Sequence, residues 1–478
     1  MSSNDFEAVI GIEIHVQLNT KSKIFSSDST TFDSGDNENT SPVSVGMPGT
    51  LPVLNKKAVE FAVKTGLALG CNVSQKSVFA RKNYFYPDLP KGYQISQHDK
   101  PICEGGSVSF VVDGVKKTVS ITRAHMEEDA GKSLHHGDCT LINYNRAGIP
   151  LLEVVSGPDM HSPAEAAQYC RTVRQIVRYL EVCDGNMEEG SLRCDCNVSV
   201  KRKNESTLGT KVEIKNVNSF RFVEKAIEYE IERQIEVLER GESIIQETRL
   251  WDPDKNRTFT MRVKEDAQDY RYFPEPDLLP VTITQESIDK IRQHLPELPA
   301  NRRERFKSDF GLSDHDADLL TSEREIADYF EETASACKNA KAAANWIMSE
   351  LLRELNQGSK QIQESSLKPS DLGALIRLID EGTISGKIAK TVFQEMWVTG
   401  KSPQEIVKEK GLVQITDPQV IEALVEQVLN ENSQQVAAHK SGAKKNLFGY
   451  FVGAVMKASK GQANPDLVNK IIQEKLKS

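Results

Sequence analysis

The sequence predicts an α+β protein, with a mainly antiparallel sheet toward the amino terminus and helices after it, on three observations. Segments of strict apolar and polar alternation, mixed with a few helical ones, fill residues from about 6 to 265. Pro274, Pro276, Pro280, Pro296 and Pro299 then interrupt regular structure and suit a boundary. From about Pro299 onward nearly every segment has helical periodicity, with short punctuation at 368–371, Gly382, 400–403 and 461–465. A chain of 478 residues exceeds one ordinary core, so two or three domains are expected.

The first strand is the most informative. Between Val9 and Leu18, alternation sends Ile10, Ile12, Ile14, Val16 and Leu18 to one face and Glu13, His15 and Gln17 to the other. A carboxylate, an imidazole and an amide in a row are what a metal or phosphate site needs. Asp113-Gly114, between alternating runs at 108–112 and 118–121, predicts a hairpin. Ser162-Pro163-Ala164-Glu165 has the pattern of a capping box with proline at the first helical position, and the stripe Ala166, Tyr169, Cys170, Val173, Ile176, Val177, Leu180 follows it. Along 191–200, Leu192, Cys194, Cys196, Val198 and Val200 share one face, opposite Arg193, Asp195, Asn197 and Ser199. A second helix is predicted from about Phe220 to Arg240, with Val223, Ile227, Ile231, Ile235 and Leu238 inward and Gly241 ending it.

Composition narrows the function classes. Apolar content of 38% and charged content of 27% fit a soluble globular protein. The amino terminus has neither a basic cluster nor an apolar run, no stretch approaches a membrane span, and a cytoplasmic location is expected. Eight cysteines in so long a chain read as buried thiols. A net charge of −9 argues against indiscriminate nucleic-acid binding, yet the tail from Ser433 carries eight lysines against Asp466 and Glu474.

The acids carry the chemistry. Glu153 is the only charge in Ile149-Pro150-Leu151-Leu152-Glu153-Val154-Val155, so a cation is expected beside it. His125-Met126-Glu127-Glu128-Asp129 supplies three consecutive acids, of which one or two can face inward on an extended chain. Gathered in one cleft, Glu13, His15, Glu128, Glu153 and Asp195 suit Mg²⁺ or Mn²⁺ better than Zn²⁺. The other reading is neutralisation by Arg and Lys in a structural network. Ala130-Gly131-Lys132-Ser133 resembles the end of a phosphate-binding loop, but the earlier glycine would fall at Met126, so that motif is absent. No Gly-x-Ser-x-Gly elbow or zinc-protease helix motif occurs. The aromatic, lysine-bearing loop at 81–97 is suited to line a pocket or polar passage.

Taken with Val212-Glu213-Ile214-Lys215-Asn216, Tyr144-Asn145-Arg146-Ala147-Gly148 and Val455-Met456-Lys457-Ala458, these segments resemble, in order and over essentially the whole chain, the GatB subunits of the aspartyl/glutamyl-tRNA amidotransferases. The resemblance implies a cradle domain at 1–294, a helical domain at 295–405 and a small helical tail related to the YqeY proteins at 406–478. It implies a carbon-nitrogen ligase with glutamine as amido-nitrogen donor. ATP and Mg²⁺ would activate the side-chain carboxylate of Glu-tRNA(Gln), Asp-tRNA(Asn) or both, and ammonia would then attack it. Matched positions put the metal at Glu13, His15, Glu128 and Glu153, with Asp195 as a further catalytic residue. They put an ammonia passage along Lys82, Tyr84, Lys91 and Glu128. The chain has no Ser-Ser-Lys amidase constellation, so a separate glutaminase (amidase) subunit is implied as partner, with a small third subunit completing a heterotrimer.

The chain departs from many family members at 25–49. Ser26, Asp28, Ser41 and Ser44 stand where others have four zinc-binding cysteines, so structural zinc is not expected and the 33–39 segment is held by hydrogen bonds or is mobile. Lys444, Lys445, Lys457 and Lys460 are the expected tRNA contacts, with Gly449 and Gly453 allowing close helix packing and Asn464-Pro465 starting the last helix. Two other readings compete. A noncatalytic tRNA-binding scaffold leaves the acid-lined strands unexplained, and a free metal-dependent ligase for a small acid leaves the lysine tail unexplained.

Overall fold

Period-two apolar residues need a covered face, and helices from the same segment supply the cover. In the computed structural model, which describes residues 5–263, 270–440, 447–459 and 461–477, the chain forms two compact units, 1–299 and 300–478. The first contains a ten-stranded sheet. Its centre is β1 (Phe6–Gln17), β2 (Val115–Glu128), β3 (Pro150–Ser156), β4 (Leu192–Arg202) and β5 (Val212–Val217), side by side in the order β5-β4-β1-β3-β2. All four neighbouring pairs are antiparallel.

Ile10, Ile12, Ile14 and Val16 of β1 and Leu192, Cys194, Cys196 and Val198 of β4 are buried in one apolar core with residues of two helices, α1 (Pro163–Tyr179) and α2 (Phe220–Glu239). The alternation read from the sequence is therefore the division between a covered and an open face. The hairpin forms at Asp113-Gly114, both with positive φ, as tight hairpin turns require. The cap of α1 is built one residue wider than a capping box. Ser162 Oγ accepts from Glu165 N at 3.2 Å, but Glu165 Oε2 accepts from His161 N at 2.8 Å.

The inward face of α2 differs from expectation. Val223 and Ile227 are buried, but Ala226, Glu230 and Gln234 fill the rest of the face, and Ile231, Ile235 and Leu238 are only half-buried. Glu230 is enclosed and accepts from Arg233 at 2.7 and 3.0 Å and from Gln234 at 2.9 Å, with Arg249 Nε at 3.6 Å. Gln234 also donates to Val198 O of β4 at 3.1 Å. A polar network of this kind satisfies its own charges and docks the helix as apolar contact would, but it leaves no hydrophobic period to read.

The helix α2 is also the crossover that lets β5 pair in parallel with Glu247–Asp252. The proline-bearing stretch after Tyr270 is no free linker. Phe273–Pro274 pairs with Ala80–Asn83, and Val281–Thr282 with Lys76–Ser77. Seven of the eight cysteines are buried and none is bonded to another, as the reading of buried thiols requires.

The second unit is helical and has two apolar cores. One includes Phe306, Phe330, Leu372 and Phe393; the other is formed by Pro418–Glu431, Phe448–Ala458 and Pro465–Lys477 around Ile421, Val425, Phe451 and Val455. Asn464 Oδ1 caps the last helix, accepting from Asp466 N and Leu467 N at 3.0 and 3.1 Å. Gly449 and Gly453 do not mediate close packing: a Cβ at either would meet no described atom within 4 Å. Among the described residues, no helix is long and apolar enough to cross a membrane.

Glu230→Ala removes the enclosed acceptor shared by Arg233, Gln234 and Arg249, leaves the two arginines only the Glu247 carboxylate, and is expected to destabilise the protein by about 3 kcal/mol. Urea unfolding checks this, and a loss under about 0.5 kcal/mol would contradict it.

Candidate active site

The register brings the acids together on the open face. His15 of β1 lies opposite Glu153 of β3 on one side and Arg193 of β4 on the other, and Glu13 lies opposite Asp195. Glu153 in turn lies opposite His125 of β2, and Leu151 opposite Glu127. Two clusters result. His15 Nε2 is 3.3 Å from Glu153 Oε2 and 3.7 Å from Glu127 Oε1, and one donor atom from each of the three lies within 4.8 Å of the others. Glu13, Asp195 and Glu213 form a second group within the same limit. Lys215 closes the second group with ion pairs to Asp195 and, at 3.1 Å, to Glu213, while Asn197 Nδ2 donates to Glu13 Oε1 at 3.0 Å. A shift in pairing between Cys194 and Cys196, with Asn216 at φ 67°, marks an irregularity in β5 beside Lys215.

Electrostatics follow from this crowding. Burial pushes the Glu127 carboxyl up to about 7, with the charge of Glu153 adding to the effect. Burial also raises Glu13, reinforced by Glu153, Asp195 and Glu213. Burial disfavours a charged His15, yet the hydrogen bond and charge of Glu153 outweigh it and hold the imidazole up at about 9. Glu153 itself is held well below the usual carboxylate range, burial being outweighed by His125, which is protonated in the acid range where Glu153 would titrate, and by the hydrogen bond and charge of His15. Only one imidazole carries the charge. Burial drives His125 down to about 4, and the neutral ring receives the Arg123 Nε hydrogen at 3.3 Å on Nδ1, which turns Nε2 toward Glu153 at 3.5 Å.

The proton on His15 thus offsets charge where a cation would. Two carboxylate oxygens and an imidazole nitrogen, with no thiolate among them, fit Mg²⁺ or Mn²⁺.

The sequence-derived residues are distributed unequally. Glu13, His15, Glu153 and Asp195 meet on the open face as expected. Glu128 does not join them, and Glu127 stands there instead. Side chains alternate along β2, so with His125 and Glu127 on the open face Glu128 turns to the other side, where it pairs with Lys91 and accepts from Ile95 N at 2.8 Å. Sequence reasoning alone does not select Glu127, Glu213, Lys215 or His125 for the site. Glu213 and Lys215, two residues apart on a short alternating run, carry a signal that could have found them.

Lys82 and Tyr84 border a cavity of about 630 Å³ with Lys215 and Tyr270, whereas Lys91 and Glu128 border one of about 110 Å³ with Lys23 and Phe25. Gln94 links the two pairs, facing Tyr84 Oη at 3.4 Å and donating to Glu128 O at 2.6 Å.

Ser26, Asp28, Ser41 and Ser44 converge. Asp28 Oδ2 accepts from Ser26 Oγ at 3.0 Å, from Ser41 Oγ at 2.9 Å and from Ser44 Oγ. The neighbouring segment is pinned by Asn39, whose amide donates to Thr31 O and Ser34 Oγ at 2.9 Å and whose carbonyl accepts from the buried Lys23 at 2.6 Å. Of the tail lysines, Lys457 is exposed on its helix; Lys444, Lys445 and Lys460 lie outside the described residues.

The pattern of the GatB/GatE catalytic domain matches residues 8–289, and that of the GatB domain found with it matches 328–476. Over 477 residues the chain is 72% identical to the aspartyl/glutamyl-tRNA(Asn/Gln) amidotransferase B subunit of Bdellovibrio bacteriovorus, covering 100% of both chains. It is 55% identical to the protein of the same description from Geobacter sulfurreducens, covering 99% of this chain and 100% of that one. With the Solidesulfovibrio magneticus protein, identity is 56% over 98% of this chain and 99% of the other.

Beside the clusters, Asp129 accepts from Arg193 at 2.8 Å and from Gln17 at 2.9 Å, with Arg146 Nε at 3.6 Å. Burial opposes its charge, but Arg193 and Arg146 outweigh it and hold the carboxyl below its ordinary value. The folded protein therefore binds this proton less tightly than the unfolded chain. Its stabilisation is complete above about pH 4 and is lost as pH falls through the lower folded value. Asp129→Asn is expected to reduce stability by about 3 kcal/mol at pH 7, with the gap to wild type closing in acid. Unfolding midpoints from pH 7 to 3 check this, and a gap that stays constant would contradict it.

Proposed function

The chain belongs to the GatB family of aspartyl/glutamyl-tRNA amidotransferase subunits, ligases of the glutamine-hydrolysing class, and on that premise we propose that its open sheet face activates the aminoacyl carboxylate. A side-chain carboxylate resists ammonia because oxide is a poor leaving group. An oxygen of the carboxylate attacks the γ-phosphorus of ATP and ADP leaves, giving an acyl phosphate. Ammonia then attacks the carbonyl carbon and expels inorganic phosphate with that oxygen, leaving the amide of Gln-tRNA(Gln) or Asn-tRNA(Asn).

The observation that carries this reading is the pair of adjoining acid clusters, His15 with Glu127 and Glu153, and Glu13 with Asp195 and Glu213. His15, Glu127 and Glu153 would hold Mg²⁺, with Glu13 and Asp195 beside them. When bound, the ion supplies charge neutralisation at phosphate oxygens. Lys215, tethered by Asp195 and Glu213, presents a cation along the same face to a developing phosphoryl charge. Arg123 and His125 orient Glu153, so that its carboxylate is fixed before a ligand arrives.

The supply of ammonia is assigned to a partner glutaminase (amidase) subunit, assembled with this chain and a small third subunit as a heterotrimer, and its route to Lys82, Tyr84, Lys91 and Glu128. No structural zinc is assigned to Ser26, Asp28, Ser41 and Ser44, a reading supported by the lack of thiolates and by the three hydroxyls donating to one Asp28 oxygen. The lysines of the 406–478 tail, Lys444, Lys445, Lys457 and Lys460, are assigned to tRNA phosphates, and the cradle and helical domains to 1–294 and 295–405.

In the assembled complex with ammonium as donor, Glu127→Ala and Glu153→Ala are each expected to lower turnover at least about 100-fold. Glu128→Ala should keep most ammonia-supported turnover and lose product formation from glutamine. Full ammonia-supported activity in Glu127→Ala and Glu153→Ala, with loss in Glu128→Ala, would contradict the assignment.

A further inference from the structure

Past His15, the open face runs into a cavity of about 680 Å³ that carries charge of both signs. Arg146 and Arg193 border it, and so do Asp184, Glu188 and Glu189 of the 184–191 loop. Two of these groups are spent within the fold. Arg146 gives Nε to Ala130 O at 3.0 Å and Nη2 to Gly131 O at 2.7 Å, and Asp184 Oδ1 accepts from Asn186 N at 2.8 Å and from Ser191 Oγ. Asn186 Oδ1 in turn accepts from Glu188 N and Glu189 N at 3.0 and 3.2 Å, which fixes the backbone of the loop.

Arg193 and the two glutamates are not spent in this way. Arg193 donates from Nη2 to Asp129 Oδ2 at 2.8 Å and makes no other side-chain hydrogen bond among the described residues, and its Nε is buried without a partner. Glu188 and Glu189 are exposed, and neither carboxylate has a hydrogen bond or an ion pair among the described residues. A buried N–H of a charged group is costly to leave unpaired, and here it borders a cavity rather than a packed core. Arg193 lies opposite His15 in the register of β4 against β1, one strand spacing or about 5 Å away.

We propose that this cavity receives the aminoacyl group, with Arg193 binding its side-chain carboxylate and the Glu188–Glu189 pair facing its α-ammonium. An aminoacyl ester carries these two charges outside the RNA, and the cavity offers a complement to each, one on the sheet and one on the loop. A guanidinium has donors only, in a fork that matches carboxylate oxygens. Asp129 holds one end of it, so the fork is aimed before the substrate arrives. Once the carboxylate has become an amide, its NH₂ group sets donors against donors, and the product is held less tightly than the substrate. This assignment rests on the reading that the open face activates a carboxylate, and it names the groups that hold that carboxylate.

Binding to the assembled complex without ATP, measured for one tRNA in three charged forms, tests it. The wild type is expected to bind the acid-charged tRNA at least about fivefold more tightly than the same tRNA charged with the amide, and than the acid-charged tRNA acetylated on its α-amino group. Arg193→Ala and Arg193→Lys, the second of which keeps a cation beside Asp129, are expected to erase the first difference and keep the second. Glu188→Gln combined with Glu189→Gln, on an exposed loop, is expected to do the reverse. An Arg193 that only braces Asp129 would weaken all three forms alike, and that result overturns the proposal, as does a wild type that binds the three forms equally. ADP formation that depends on acid-charged tRNA, followed in the wild type, tests the activation reading separately. Its absence overturns that reading, whereas its presence beside unchanged preferences in the variants overturns the placement alone.

Discussion

Like charges held on one face of a sheet repel, and the arrangement of this protein's first unit is a response to that repulsion. Glu13, Glu127, Glu153, Asp195 and Glu213 are fixed by strands whose other sides are sealed in an apolar core. They cannot separate without moving the core, since a slip of one residue would turn Ile10, Ile12, Ile14 and Val16 outward. The cluster therefore has to be neutralised where it stands. The His15 proton and Lys215 do this in part, and the proposed divalent cation at His15, Glu127 and Glu153 would complete it.

The same alternation divides labour between the two sides of a single strand. Glu127 and Glu128 are neighbours in sequence, but one faces the open sheet and the other the Lys91 cavity. On the proposed reading, adjacent residues would serve activation on one side and ammonia delivery on the other. Gln94, touching Tyr84 and the Glu128 carbonyl, ties the two sides together. Rigid strands suit this role because acyl phosphates are short-lived, and a fixed distance between activation and ammonia limits their loss to water.

Much of this was legible in the sequence, wherever one short-range period decided the outcome. β1 and β4 were readable because every second residue is apolar, and α1 because its proline and serine announce its start. The face of α2 was hidden, because Glu230 and Gln234 are buried through paired charges and amides, which hydropathy cannot register. Choosing Glu127 over Glu128 needed the register of β2 against β3, a property of two distant segments, and three consecutive acids gave no alternation to follow. The Asp28 cluster was visible as a loss of thiolates, but its closure around one carboxylate oxygen required the fold.

The central claim is that the β1, β2 and β3 side chains His15, Glu127 and Glu153 would hold one divalent ion that serves the nucleotide. Electron-nuclear double resonance of the complex loaded with Mn²⁺ and ATP tests this most directly. The account predicts hyperfine coupling to both phosphorus and the ¹⁵N of a labelled histidine, with the nitrogen signal lost in His15→Ala. Phosphorus coupling without any histidine nitrogen would contradict it.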